Sequence, residues 1–237
     1  MSRPTQAIAA AGGTKGKARR PSGVTKRRTQ EERSATTRRE LVRATAESIA
    51  AIGLNQSTIT IIATRAGVTS GAVQHHFASR DELLLAVVDE FGRALADDPQ
   101  EQYARHESVN ARVSRSLERY LSLFGSTQYI AVMKIWLGTQ VNAPLYREIA
   151  ARLRWFEISL DREWVELFAD CGVTAQSIAS ARHVAVAAMR GLALRLSFTK
   201  DRDRTPAEVA LLKTMVTRAL EDERRKTRRT RHAPLAV

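Results

Sequence analysis

Side chains that could carry out catalysis or bind a metal ion are few in this sequence, and their spacing suits neither task. His75 and His76 are neighbours, so on a helix their side chains diverge by about 100° and cannot both face one metal ion. Cys171 is the single cysteine, which excludes an internal disulfide and favours a core or helix-end role over redox sensing. The sequence has no glycine-rich phosphate loop and no nucleophile elbow. We therefore expect no enzymatic activity, no metal site and no cofactor.

Residues 58–77 have the pattern of two short helices joined by a tight turn, Val68-Thr69. Ala63 and Gly67 stand four positions apart, where small residues let two helices pack at a steep angle. Val68 would fill the space beneath them, and one face of the second helix would project from the domain. A projecting helix fits the major groove of DNA, which is about 12 Å wide. On spacing alone, an ordinary helical hairpin inside a core explains the pattern equally well.

Helix start and stop signals in the surrounding sequence indicate how this hairpin is held. Two segments, Thr37 to Glu40 and Ser79 to Glu82, have the pattern of a capping box. Glycines at 53 and 67 supply helix ends, and apolar residues recur at three- and four-residue steps between these points. The predicted helices of this region run from Thr37 to about Ile52, from about Thr58 to Ala66, from Ser70 to about Phe77, and from Ser79 to about Ala96.

Longer amphipathic helices, without strand-like alternation, are predicted after Pro99. Their predicted ranges are 108–124, 128–140, 144–170, 174–197 and 205–226. The last of them opens with Thr205-Pro206-Ala207-Glu208, which combines proline at the first helical position with a capping box. The sequence therefore predicts an all-α fold of about nine helices.

The charge of the chain is concentrated at its two ends. The net charge is +13. Residues 1–35 contribute +7, from nine Lys and Arg against Glu31 and Glu32, and residues 224–237 contribute +6 from six basic residues and no acid. The segment 36–223 is therefore neutral overall. We interpret 1–35 as a disordered basic arm and 227–237 as a basic tail.

Three interpretations of the basic ends stay open. Nine positive residues just before a DNA-binding helix could enter the minor groove or lie along phosphates, although many charged termini serve only solubility. Basic tails also suit a protein that binds any duplex without sequence preference, and this is the main alternative to specific binding.

A longer stretch of sequence carries a family resemblance. It begins at Thr37 with Thr-Arg-Arg-Glu-Leu-Val-Arg-Ala-Thr-Ala-Glu-Ser-Ile-Ala and includes, from Ala66, Ala-Gly-Val-Thr-Ser-Gly-Ala-Val-Gln-His-His-Phe-Ala-Ser-Arg-Asp-Glu-Leu-Leu. Residues 37–91 closely resemble the N-terminal domain of the TetR family of transcriptional regulators. The resemblance implies a sequence-specific, homodimeric DNA-binding regulator in the cytoplasm. It further implies a repressor that a small-molecule effector, still unidentified, releases from double-stranded operator DNA.

The family's DNA contacts can be carried over residue by residue. They fall on Thr58, Thr69, Ser70, Gly71, Ala72, Gln74, His75 and Arg80. Hydroxyls and amides at a helix start suit phosphate oxygens, and the Gln74 amide suits an adenine edge. The sequence departs from the family at Gln74, where tyrosine is usual, and at Ile61, which is less polar than the family's residue. These departures put the aromatic contact in doubt and suggest a different operator.

The resemblance also implies a division into domains. An N-terminal three-helix helix-turn-helix domain would occupy 36–96, and a C-terminal helical ligand-binding and dimerisation domain would occupy 97–226. The last two helices would pair with those of a second copy, since two recognition helices must stand about 34 Å apart on a symmetric operator. The expected interface residues are Ile178, Ala181, Ala185, Ala188, Met189, Leu192, Val209, Leu212, Met215, Val216 and Leu220. Ordinary packing within one chain is the alternative.

Bulky residues in the middle helices are candidates for an effector pocket. The predicted lining comprises Phe124, Met133, Trp136, Leu137, Trp155, Phe156 and Arg190. Arg190 and Arg195 are charged residues within an apolar helix, so they suit either a carboxylate ligand or a salt bridge between helices. No stretch is long and apolar enough to span a bilayer, and no secretory signal is recognisable, so no membrane partner is expected.

Overall fold

The computed structural model describes residues 29–96, 107–199 and 205–231. Its helices are α1 (Gln30–Ile52), α2 (Ile59–Ala66), α3 (Ser70–His76), α4 (Arg80–Ala96), α5 (Val109–Phe124), α6 (Thr127–Gly138), α7 (Ala143–Leu167), α8 (Ala175–Phe198) and α9 (Thr205–Arg231), with a short 3-10 helix at Ala169–Cys171. No strand occurs in these residues. The prediction of an all-α fold is confirmed. Residues 1–28 of the predicted arm and 232–237 of the predicted tail lie outside the described residues.

The first helix begins earlier than its sequence pattern suggested. The capping box forms at Thr29, whose hydroxyl accepts a hydrogen bond from the Glu32 amide at 3.2 Å while the Glu32 carboxylate accepts one from the Thr29 amide at 2.8 Å. At the predicted box, the Thr37 hydroxyl instead donates to the Arg33 carbonyl within the helix. Residues 30–35 are therefore helical and do not belong to an arm. The helix starts earlier because Glu31 and Glu32 in its first turn interact favourably with the positive end of the helix dipole.

The last helix begins at residue 205, as predicted, but without the expected capping box, and it ends later than predicted. The Glu208 carboxylate accepts a hydrogen bond from Arg195 of α8, and the buried Thr205 hydroxyl has no hydrogen-bond partner within the described ranges. The predicted capping box at 205 is therefore not formed, because the acid is used in an interhelical ion pair. The helix continues to Arg231, so residues 227–231 of the predicted tail are helical.

Helices α1 to α4 form the N-terminal domain. Its core contains Leu41, Ile49, Ile62, Val73 and Phe77, all less than 5% exposed. Helix α1 packs on α2, and α2 in turn packs on α3. The domain is joined to the rest of the molecule through α4, which packs on α6 and α7, and through α1, which packs on α6.

The C-terminal domain is built around α5, which packs on α8 and α9. A row of aromatic rings holds α5 against α7: Tyr120 stacks on Trp164 with 6.2 Å between ring centroids, and Trp164 contacts Phe168 at 5.3 Å. Cys171 is buried, and burial raises the pKa of its thiol. None of the helices in the described ranges is long and apolar enough to cross a membrane.

Candidate DNA-binding surface and effector cavity

Local hydrogen bonds define the two short helices of the N-terminal domain. The Thr58 hydroxyl accepts from the Ile61 amide at 3.3 Å and begins α2. Gly67 ends it in the left-handed conformation, with φ of +70°, which an L side chain rarely adopts. The Thr69 hydroxyl accepts from the Ala72 amide at 3.2 Å and begins α3 two residues later. The turn between the helices is therefore fixed by residues of its own sequence.

One face of α3 is buried and the opposite face is open. Val73 is 1% exposed and Phe77, which ends the helix, is 3% exposed. The predicted contact residues lie on the open side: Thr58, Thr69, Gly71, Gln74 and His75 are exposed, and Ser70, Ala72 and Arg80 are partly exposed. Ile61 on α2 is also 40% exposed. The structure thus leaves every predicted contact residue accessible.

The C-terminal end of α3 is held against α1. The Arg38 guanidinium lies over the Phe77 ring, 4.4 Å from its centroid. His76 is partly buried, and burial lowers the pKa of its imidazole, with further lowering by the charges of His75 and Arg38. In the described residues, no group of three His, Cys, Asp or Glu side chains is arranged to hold a metal ion. The contact between Arg38 and the buried Phe77 ring therefore holds the end of α3 against α1.

Arg80 has a contact that the sequence did not reveal. Its guanidinium donates a hydrogen bond to the carbonyl of Leu54, in the loop between α1 and α2. The Leu54 side chain packs against Gly138 at the end of α6, where an added Cβ would lie 2.7 Å from it. Nearby, the Lys134 ammonium donates to the Ala50 carbonyl at 2.7 Å. Helix α6 therefore contacts both the end of α1 and the loop that follows it.

The C-terminal domain encloses a cavity of about 360 Å³ between α4, α5, α6, α7 and α8. It is lined by Phe91, Leu95, Phe124, Tyr129, Val132, Met133, Trp136, Tyr146, Ala150, Leu153, Arg154, Phe156, Glu157, Leu160 and Arg190. Five of the seven predicted residues are among them. Leu137 and Trp155, which are 57% and 59% exposed, lie outside the cavity. Each is the neighbour of a lining residue, and adjacent positions on a helix point about 100° apart.

An ion-pair network runs beside the cavity and joins α7 to α8. One Glu157 oxygen accepts from Arg190, and the other accepts from Arg182 at 2.9 Å. Arg182, fully buried, also donates to Asp161 at 2.6 Å. Burial opposes ionisation of Glu157, but the two guanidiniums outweigh it and lower the pKa of its carboxyl. The sequence allowed either a salt bridge or a ligand contact for Arg190. In the structure Arg190 forms a salt bridge with Glu157, and both residues line the cavity.

Glu157, Arg154 and Arg182 were missed as part of this site by sequence reasoning. The available signal was the pair of acids at 157 and 161 on α7, which share a helix face. Nothing local indicated that α8 would bring Arg182 and Arg190 to that face, because the partners are more than twenty residues apart in the chain.

The residues expected at the dimer interface are mostly buried within the chain instead. Ile178, Ala185, Met189, Leu212, Val216 and Leu220 are at most 7% exposed, and the others apart from Met215 are partly buried. These side chains pack α8 and α9 against each other and against α5 and α7. A different apolar stripe faces outward: Val184, Leu194, Leu211 and Met215 are 57–62% exposed, with Ala187 and Gly191 exposed between them on α8.

Comparison with known proteins agrees with this architecture. Residues 41–87 match the family model described as bacterial regulatory proteins, tetR family. The chain is 36% identical over 103 residues to the HTH-type transcriptional regulator BetI of Cronobacter sakazakii, covering 42% of this chain and 50% of that protein. It is 33% identical over 106 residues to BetI 1 of Chromohalobacter salexigens, covering 43% and 50%. The chain thus spans about half the length of these curated relatives.

Solved structures extend the similarity to the whole fold. GusR of Salmonella enterica superposes with a TM-score of 0.58 at 18% identity, covering 78% of this chain and 96% of that one. The regulator FadR of Bacillus subtilis, solved in complex with stearoyl-CoA, gives 0.54 at 18% identity, covering 78% and 98%. At such identities the likeness concerns the fold alone. Residues 41–87 carry the family match: over this segment the N-terminal domain of this chain is similar to the bacterial regulatory proteins of the tetR family.

Proposed function

We propose that the chain is a sequence-specific DNA-binding regulator of transcription that acts as a homodimer. The observation that carries this proposal is the open polar face of α3, on a helix whose other face is anchored in the core by Val73 and Phe77. A helix held in this way can enter the major groove as a rigid unit. The family match of residues 41–87 supports the same function. Operator DNA lies in the bacterial cytoplasm, where the regulator would act.

Base recognition in this proposal comes from Gln74 and His75. The Gln74 amide can pair with both N6 and N7 of adenine, which no other base offers in that arrangement. The exposed hydroxyls of Thr58 and Thr69 and the amides at the start of α3 would contact phosphates. Arg80 donates to Leu54, and its remaining N–H groups would reach the backbone of the DNA. These contacts involve no catalytic step.

The outward apolar stripe of α8 and α9 would form the dimer interface. Large apolar side chains that are more than half exposed, such as Leu211 and Met215, are costly to leave in water and mark interaction surfaces. Ala187 and Gly191 would let the helices of two copies approach closely. The occupant is a second copy of this chain because a symmetric operator requires two recognition helices held at a fixed separation.

The cavity in the C-terminal domain would bind the effector. Its walls include α4, a helix of the N-terminal domain that carries Phe91, and α6, which carries Trp136 and contacts α1 through Lys134. A ligand that fits better when α4 and α6 are displaced would favour wrongly spaced recognition helices. A tenfold loss of operator affinity requires about 1.4 kcal/mol of preference between the two states. We propose that the chain represses transcription and that effector binding releases it from DNA.

The proposal is tested by incubating the purified full chain with fragments of its source genome and footprinting the fragments that it enriches. We expect protection of a short palindrome with two half-sites about one helical turn, ~34 Å, apart. Nearly equal enrichment of all fragments, with a steep loss of binding as salt rises, would instead identify a non-specific DNA-binding protein.

A further inference from the structure

The polar groups of the effector cavity indicate what kind of molecule it takes. Six aromatic side chains line the cavity, together with three charged ones, Arg154, Glu157 and Arg190. The aromatic walls suit an apolar or aromatic ligand body. The charged side chains determine which ligand head group the cavity accepts. We therefore consider the hydrogen-bond partners that each of them already has.

Glu157 is already paired with two cations, which disfavours a cationic ligand at this site. One of its oxygens accepts from Arg190 and the other from Arg182, so two guanidiniums already neutralise its single charge. A ligand ammonium group would have to compete with one of them for Glu157, and the guanidinium that it displaced would lose an ionic partner. Such an exchange is unfavourable where the displaced group is buried, and the Arg182 side chain is fully buried.

Donors without partners remain on the two cavity arginines. The Arg190 Nε is buried and has no hydrogen-bond partner among the described residues, while the Arg190 guanidinium lies over the Phe124 ring, 5.2 Å from its centroid. Arg154 is exposed on α7 at the edge of the cavity and makes no ion pair with any residue that the structure describes. A buried N–H without an acceptor destabilises the empty state, and an anionic oxygen in the cavity would supply that acceptor.

We propose that the cavity binds an organic carboxylate with an aromatic or aliphatic body, its head group on Arg190 and Arg154. This inference rests on the proposed effector function, because it names the ligand class of that site. Arg190 receives the carboxylate on its unsatisfied side without releasing Glu157. The charge of the three lining groups is then balanced, since one anion is added to two arginines and one glutamate.

The test compares three probes that share one body and differ in head group: 4-phenylbutyrate, 4-phenylbutanamide and trimethyl(4-phenylbutyl)ammonium. Their binding to the full chain is measured by calorimetry without DNA. We expect the carboxylate to bind about ten- to hundredfold more tightly than the amide, as a charge-assisted hydrogen bond predicts, and the ammonium compound to bind most weakly.

Variants connect this preference to the cavity arginines. Arg190→Met should reduce the preference for carboxylate over amide to about threefold or less. Arg154→Met removes an exposed side chain without an ion pair, so it should leave folding intact and reduce the preference by about threefold. Arg195→Met is the matched control, because Arg195 also lies on α8 and pairs with an acid, Glu208, but does not line the cavity. It should keep the full preference.

Three results would overturn the ligand class: equal binding of the carboxylate and either other probe, an unchanged preference in both Arg190→Met and Arg154→Met, or no carboxylate binding at millimolar concentration. The proposed regulation fails separately. If the carboxylate binds with the expected preference but does not release operator DNA, the ligand class stands and the release mechanism is refuted.

Discussion

Gly92 on α4 lies where the cavity wall meets the N-terminal domain, and it leaves no space for an added side-chain atom. A Cβ on Gly92 would lie 2.0 Å from both Cε1 and Cζ of Phe156, a cavity residue on α7. Gly92→Ala therefore forces the ring or α4 to move. Overpacking of this severity costs about 3 kcal/mol, and the better helix propensity of alanine offsets about 1 kcal/mol. We expect a net loss of about 2 kcal/mol in the free energy of unfolding.

The assay is urea unfolding of each variant at one fixed protomer concentration, because the proposed dimerisation would make stability depend on concentration. In a Phe156→Ala background the clash is gone, so Gly92→Ala should stabilise by about 1 kcal/mol, which gives a coupling energy of about 3 kcal/mol between the two sites. Gly71→Ala is the control: only the Thr69 hydroxyl lies near its Cβ position, at 3.8 Å. A clash between residue 92 and Phe156 is refuted if Gly92→Ala stabilises the otherwise unchanged chain. It is also refuted if Gly92→Ala destabilises the Phe156→Ala variant as much as it destabilises the unchanged chain.

Two further predictions concern the acid limit of stability and the dimer. The hydrogen bonds from Arg112 lower the pKa of Asp170 to about 2 from 3.8, so this carboxylate stabilises the fold above pH 3.8 and loses its effect as the pH falls through about 2. Asp170→Asn should lower the free energy of unfolding by about 1 kcal/mol at neutral pH, a small value because Asp170 is nearly half exposed. In denaturation measured as a function of pH, the stabilities of the unchanged chain and the variant should converge near pH 2. A difference that stays constant with pH would contradict this assignment. Met215→Asp should convert the proposed dimer to a monomer in analytical ultracentrifugation. Ala210→Asp is the control and should leave the dimer intact, because Ala210 is also exposed but lies about 140° around α9 from Met215. If both variants form dimers as stable as those of the unchanged chain, the interface lies elsewhere.

Local signals in the sequence were sufficient for the helix-turn-helix. Thr58, Gly67 and Thr69 act through hydrogen bonds and backbone angles within three or four residues of themselves, so their roles can be inferred without the rest of the fold. The same rule was ambiguous at the start of α1, where Thr29 and Thr37 both begin a Thr-x-x-Glu pattern. The first of them is used because the helix extends back to an acidic first turn.

Features that depend on packing between distant helices could not be predicted in the same way. The choice between Trp136 and Leu137 as cavity residue depends on the rotation of α6 against α1, which no local pattern reports. The prediction of which apolar residues form the dimer interface was wrong for a related reason. Small apolar residues such as Ala185 suit close packing within a chain as well as between two chains, and in the structure Ala185 is fully buried within one chain.

The most direct test of the account is equilibrium binding of the full chain to its footprinted operator and to a scrambled duplex of the same length and composition, at one salt concentration. We predict a preference for the operator of roughly a thousandfold or more. Gln74→Ala, at an exposed position of α3, should weaken operator binding by about 1–3 kcal/mol and leave binding to the scrambled duplex unchanged. Equal affinity for both duplexes, or an equal effect of Gln74→Ala on both, would contradict sequence recognition by α3.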